Sequence, residues 1–299
     1  MSLPAGWLRS MPVVFVLIWS TGFIVARYGM PQAPPFKFLA MRFGLAVLCF
    51  GVWARLARAA WPAGRAQWAH LAVTGVLMHA GYLGGVWAAV KLGMGAGLVA
   101  LLVGLQPVLT AVWVASRGGQ VAPRQWAGLA LGFGGLALVV WQKLGHGEVG
   151  GHNLALALFA LVSITVGTLY QKRYLLPCAV PTANCVQNFA ALLATLPLAL
   201  ALALESEAVR WNADFVGAMA WSVLVLTLGG SSLLYLMIQR GAATAVTSLL
   251  YLVPPTTALM AWALFGEPIT VFTLAGTALT AFGVALVVRP PATTKRSTP

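Results

Sequence analysis

Apolar residues run along this chain in blocks of 17 to 24, parted by short stretches rich in proline, glycine, basic or acidic residues. The blocks lie at about 11–27, 38–56, 68–90, 95–116, 125–142, 153–170, 182–204, 215–238, 242–265 and 269–288. Each approaches or exceeds the roughly 18 apolar residues that a helix needs to cross hydrocarbon. Residues 30–35, 61–65, 145–151 and 205–214 are the clearest punctuation, and no gap has room for a soluble domain. With 60% apolar and 8% charged residues, the chain lacks the charge to coat a water-soluble fold of 299 residues. The pattern predicts an all-α polytopic membrane protein with ten transmembrane helices.

The blocks also repeat. Shifting residues 93–140 by 148 positions onto 241–288 gives 15 identical pairs among 48 without a gap. Gly93 meets Gly241, Pro107 meets Pro255, Gly128 meets Gly276 and Gly135 meets Gly283. A period of about half the chain indicates a duplicated unit, not a short-period solenoid. Residues 1–145 are expected to form one five-helix repeat and 146–290 the second, with 291–299 a disordered basic tail. Five crossings per copy is an odd number, so the second copy enters the membrane inverted. Inverted repeats typify transporters whose substrate site lies between the halves near the midplane.

Charge orients this arrangement. With the N terminus inside, the inner segments carry 12 Arg and Lys residues and the outer segments 5, with Arg42 inside a span. Cytoplasmic loops retain positive charge, so both termini are predicted cytoplasmic. The net charge of +13 is scattered singly and in pairs between apolar blocks, which argues against a nucleic-acid partner. The partners expected are a small-molecule substrate and the lipid bilayer. Cys49, Cys178 and Cys185 are odd in number and lack metal spacing, so no disulfide framework, metal or cofactor is expected. The first block follows only Arg9 and has no small-residue cleavage site, which reads as a retained helix.

All five acidic residues (Glu148, Glu205, Glu207, Asp214 and Glu267) fall in loops or at span ends. Proton relays and cation sites commonly place a carboxylate at mid-membrane, and none is expected here. A neutral or zwitterionic metabolite, held by hydroxyls, amides, rings and helix ends, fits better than a cationic drug. His79 lies near the middle of the third block, one turn before Tyr82. It can donate to a substrate carboxylate, or rest neutral against a neighbouring carbonyl; the sequence leaves both open. Arg42, about a turn inside the second block, can face a polar vestibule or snorkel to the interface, and the structural role is favoured. Pro107 and the Pro254-Pro255 pair sit in corresponding blocks, where a missing amide donor should bend each helix and mark a gate or binding position. Gln106, Ser248 and Tyr251 adjoin these breaks. Trp19 and Trp262 lie deeper than the interfacial tryptophans and can stack on a ligand or simply pack. Ser163 is a further polar group in a span. The candidate substrate contacts are therefore His79, Tyr82, Gln106, Trp19, Ser163, Ser248 and Tyr251, with Pro107, Pro254 and Pro255 as the helix breaks.

Several motifs occur in a telling order. They are Trp19-Ser20-Thr21-Gly22-Phe23, then Pro35-Phe36-Lys37-Phe38-Leu39-Ala40-Met41-Arg42-Phe43, then Ala100-Leu101-Leu102-Val103-Gly104-Leu105-Gln106-Pro107. Ser248-Leu249-Leu250-Tyr251-Leu252-Val253-Pro254-Pro255 follows, and then Gly266-Glu267-Pro268. In a ten-crossing duplicated frame this series resembles the EamA-type families of the drug/metabolite transporter superfamily. The resemblance implies a bacterial inner-membrane exporter of amino acids, aromatic ones among them, and of related metabolites. One departure is Gly118-Gly119, where the first repeat lacks the Gly-Glu of Gly266-Glu267. A multidrug or metabolite antiporter, a channel-like protein and a membrane scaffold are the alternatives. An intramembrane enzyme is disfavoured, because the chain shows no His-Glu-x-x-His, no intramembrane Asp pair and no Ser/His/acid set.

Overall fold

Proline and glycine set where the helices begin and end. Pro35 opens the second helix, where its fixed φ suits the first turn and its missing N–H is not needed. Gly266 closes the ninth in the left-handed region, at φ 65°. The computed structural model describes residues 5–118, 122–144, 147–201, 205–230, 233 and 252–288. Among them every regular element is helical. We number the helical rods α1 (Ala5–Gly29), α2 (Pro35–Leu56), α3 (Arg65–Lys91), α4 (Ala96–Ser116) and α5 (Pro123–Leu144) in the first half. The second half contains α6 (Gly151–Tyr174), α7 (Val180–Ala201), α8 (Ala213–Gly230), α9 (Val253–Phe265) and α10 (Val271–Val288). Seven of these described helices, α2 to α8, are long and apolar enough to span a membrane. Three shorter apolar helices, within α1, α9 and α10, occupy the first, ninth and tenth expected positions. Ser248, Tyr251 and the expected basic tail lie outside the described residues.

Helices that the 148-residue shift makes equivalent pack against each other. The α2–α7 pair is tied by Cys185 to the Val47 carbonyl and by Thr182 to the Ala60 carbonyl, so the start of α7 meets the end of α2. The α5–α10 pair is antiparallel along its whole length. Gln125 donates to the Val287 carbonyl at one end, and Thr270 donates to Gln142 at the other. Midway, Thr280 Oγ1 lies 3.3 Å from the Gly132 carbonyl, and these two residues are 148 apart. A residue can touch its own repeat mate only on the axis that relates the repeats. Because the two helices run antiparallel, that axis runs across them, perpendicular to their length.

One face of the bundle gathers the start of α2, the α3–α4 and α5–α6 connections and the start of α8. There the carboxylates cap helix N-termini across the molecule. Glu205 accepts from the amides of Phe36 and Lys37 at the start of α2, at 2.9 and 2.8 Å. Glu267 accepts from Ala96 at the start of α4 (2.9 Å), and Glu148 accepts from Gly95 and from Lys143. Unpaired N–H groups and the positive end of the helix dipole favour an anion at these sites. All the acidic residues are thus placed on this face, away from the membrane interior. The Lys91 ammonium holds the Glu207 carboxyl below the usual carboxylate range through a 2.6 Å bond. Burial raises the Cys178 thiol in the α6–α7 connection.

Candidate functional site

The sequence predicts bends at the prolines; the structure shows a helix restart at Pro107 in α4 and a helix start at Pro254 in α9. In α4 the first segment ends at Val103, and Leu105 turns tightly to bond the Leu102 carbonyl. A second segment starts at Gln106, with Pro107 as its second residue. In α9, Val253 and Pro254 open the helix in the same way, and Pro255 follows half-buried. Proline lacks the donor that a continuous helix would require at these points. Starting a fresh segment removes the need. The α4 restart and the start of α9 lie against each other, because a Cβ on Gly104 would stand 2.8 Å from the Pro254 ring. Ser20 and Thr257, both buried, tie α1 to this turn through the Val253 and Ser20 carbonyls.

Two adjoining cavities open beside these helix starts. One, of about 80 Å³, is lined by Gln106, Pro107, Val253 and Pro254 among others. The other, of about 130 Å³, is lined by Arg42, Phe43, His79, Asn188 and Thr227 among others. Trp19, Phe23, Tyr82 and Ile164 wall both. Aromatic rings therefore surround a few convergent polar groups, the usual character of a small-molecule site.

A local change of helix type positions His79. Residues Val76–Gly81 of α3 form a π-helical stretch, and Trp221–Gly230 of α8 form another. Shifted by 148 residues, the first stretch falls within the second, and His79 falls on Thr227. Single π turns recur at functional sites because the wide turn re-aims side chains. His79 Nε2 lies 3.3 Å from Gln187 Oε1, a bond that puts a proton on Nε2. Ser163 lies outside both cavities; it donates to the Leu77 carbonyl at 2.8 Å and so braces the π stretch. Gln106 lines the smaller cavity and donates to Thr168 at 2.9 Å. Trp19 packs against Phe15 with its ring in the cavity wall, whereas Trp262 is 56% exposed on the bundle surface.

Arg42 departs from its expected role. α2 begins three residues before the expected block, so Arg42 sits seven residues into the helix, about 10 Å deep. Its side chain does not snorkel. Nε and Nη2 both donate to Thr227 Oγ1, at 3.3 and 3.1 Å, and the residue is only 7% exposed. Thr227 lies about 20 Å along α8 from its start. The α8 start adjoins the start of α2, since Arg210 and Asn212 bond Gln32 in the preceding loop. The guanidinium thus reaches towards the interior. Arg42 is the one charged side chain lining either cavity among the described residues. The signal was in the sequence: an intramembrane arginine with no acid in any span marks a functional position by default.

Comparison with known proteins places this geometry. The profile of the EamA-like transporter family matches the chain twice, over residues 10–141 and 153–289. The chain is 24% identical over 284 residues to a probable amino-acid metabolite efflux pump of Salmonella typhimurium, covering 92% of each. It is 23% identical to a probable amino-acid metabolite efflux pump of Escherichia coli, again over 92% of each. It is 28% identical over 204 residues to an uncharacterized transporter of Bacillus subtilis, covering 64% of this chain and 63% of that protein. A solved crystal structure shares the fold at a TM-score of 0.63 and 17% identity, covering 93% of this chain and 95% of the other. Two matched halves, with the equivalent helices α5 and α10 packed antiparallel, are accounted for together: the chain belongs to the EamA-like transporter family.

Proposed function

We propose that this protein exports amino acids, aromatic ones among them, and related small metabolites across a bacterial inner membrane by alternating access. The observation that carries this reading is the aromatic-walled cavity beside the α4 restart and the start of α9, where repeat-related helices meet. The first repeat, 1–145, rocks against the second, 146–290, about the axis marked by Gly132 and Thr280. The relatives named as probable amino-acid metabolite efflux pumps support the choice of cargo. Trp19, His79, Tyr82, Gln106, Ser248 and Tyr251 serve as substrate contacts, and Pro107, Pro254 and Pro255 mark the moving segments. Transport runs down the substrate gradient without a proton relay through a buried carboxylate, because the acids cap helices on one face. As a member of a transporter family the protein is not an enzyme.

Purified protein in liposomes should show saturable amino-acid counterflow that competing substrates inhibit and that an imposed pH gradient leaves unchanged. No uptake across a broad metabolite panel, or unitary ionic currents, would count against an exporter. Both termini face the cytoplasm in this reading, so a reporter at Gly147 should appear outside and one at the C terminus inside. Appearance of both on one side would break it.

A further inference from the structure

The guanidinium of Arg42 carries a positive charge into the cavity, and the protein supplies no carboxylate to balance it. The ion pairs of the described residues are Lys91–Glu207 and Lys143–Glu148, both on the acidic face. Glu205 and Glu267 are engaged by helix N-termini on that same face, and Asp214 lies in the first turn of α8. Among the described residues, the hydrogen bonds of Arg42 go to one neutral hydroxyl, Thr227 Oγ1, from Nε and Nη2. Five N–H donors are fixed in its planar fork, so three remain for another acceptor. A buried charge left without a counter-ion is costly, and it persists where a ligand completes it.

The rest of the larger cavity says what kind of ligand. Phe23, Phe43, Tyr82 and Trp19 present apolar or aromatic surface. His79 and Asn188 are its other polar groups beside Thr227, and neither bears a negative charge. Among the described residues no anionic side chain there pairs with an ammonium group, whereas the guanidinium matches a carboxylate in a two-pronged hydrogen bond. Resting on the exporter reading above, we propose that Arg42 is the specificity-determining anchor for the carboxylate of the cargo. The site takes monocarboxylates with an aromatic or bulky apolar body, and the α-amino group of an amino acid is dispensable.

Three probes that share a phenyl body separate the head groups: L-phenylalanine, 3-phenylpropionate, which lacks the amine, and phenethylamine, which lacks the carboxylate. Binding is read in detergent from tryptophan fluorescence, and transport from competition against labelled phenylalanine in liposomes. The wild-type protein should bind phenylalanine and 3-phenylpropionate within about threefold of each other and phenethylamine at least tenfold more weakly. Arg42→Gln should lose at least tenfold affinity for both carboxylates and leave phenethylamine unchanged, collapsing the selectivity. Arg42→Lys should keep the order with weaker binding, since an ammonium is a point charge without the fork. Thr227→Val, which leaves the charge in place, should also keep the order. A merely structural arginine would lower abundance or affinity for all three probes alike. The wild-type series needs no variant: phenethylamine binding as tightly as phenylalanine, or 3-phenylpropionate failing to bind, overturns the proposal. Carboxylate-selective binding with no uptake of any metabolite overturns the exporter reading and leaves the Arg42 anchor standing.

Discussion

Gly135 and Gly134 are neighbours on α5, and replacing each with alanine should move stability in opposite directions. A Cβ built on Gly135 would stand 2.5 Å from the Gly276 carbonyl oxygen and 2.8 Å from the Thr280 amide nitrogen, both backbone atoms of α10. Ordinary contact begins at 3.4 Å, so α5 and α10 must separate by about 0.9 Å locally. A gap of 0.5–1 Å forfeits roughly a quarter to a half of each dispersion contact it opens. Such overpacking costs about 1–3 kcal/mol. Gly134 has nothing within 4 Å of its Cβ position. There alanine brings only its helix preference, about 0.8–1 kcal/mol in favour of the fold. That gain is common to both variants, so their difference isolates the packing cost. Gly135→Ala should be about 1–3 kcal/mol less stable than Gly134→Ala, a factor of roughly 5 to 150 in the unfolding constant. Reversible unfolding in mixed micelles by increasing SDS fraction reads this directly. Equal stability of the two variants would mean that the α5–α10 contact is loose, and the axis through Gly132 and Thr280 could not be a packed pivot.

Three further outcomes are expected. Glu267→Gln keeps an acceptor for the Ala96 amide but removes the charge at the α4 N-terminus, so it should cost about 0.3–1 kcal/mol. Glu267→Ala should cost about 1–2 kcal/mol in the same micelle assay, and no change would show the cap to be idle. The depressed Glu207 carboxyl makes the Lys91 pair a small stabilising contribution at pH above the usual carboxylate range. It fades as pH falls through the lowered value, because the unfolded chain then binds the proton more readily. A carboxyl ¹³C titration should show Glu207 returning to the ordinary range in Lys91→Met; an unmoved titration would refute the pairing. His79→Ala and Gln187→Leu should each weaken transport without lowering membrane abundance, since the 3.3 Å bond between them aims the imidazole. Unchanged kinetics in both would return the pair to a packing role.

The fold was legible because crossing a membrane imposes length and apolarity on every segment, and both can be read residue by residue. The described helices α2 to α7 and α10 begin and end within four residues of the expected blocks. The start of α2 was missed by three residues, because a hydropathy window treats Pro34-Pro35 as a gap whereas proline at the first helical position is favourable. The prolines of α4 and α9 were legible as breaks, but the restart in α4 was not. Whether a helix bends or begins again depends on what packs at the discontinuity, and here the α4 restart leans on the start of α9 through Gly104 and Pro254. The π stretches left no pattern to read. Their extra residue per turn is held from outside, by Ser163 on the Leu77 carbonyl, and nothing in the local sequence announces a partner 86 residues away.

Depth was legible and direction was not, which decided what could be seen of the site. Trp19, His79, Tyr82, Gln106, Pro107 and Pro254 were selected for lying deep, and the structure brings them to two joined cavities. Ser163 and Trp262 are as deep in sequence but point elsewhere, one at a backbone carbonyl and one outwards. For Arg42 the structural role was favoured over a polar vestibule because snorkelling is the cheap solution for a long cation near a helix end. Cβ atoms already tilt towards the helix N-terminus, so that route lay open to it on α2. The structure instead turns the guanidinium towards Thr227, the repeat mate of His79, against both tendencies. A side chain held in the more expensive direction, in a chain whose acids are committed to helix caps on one face, is the strongest sign of what the cavity lacks. The duplication supplies two halves that can exchange roles, but Arg42 has alanine, Ala190, at its repeat position. In the proposed exporter both halves line the cavity, while the anchoring charge comes from the first half alone.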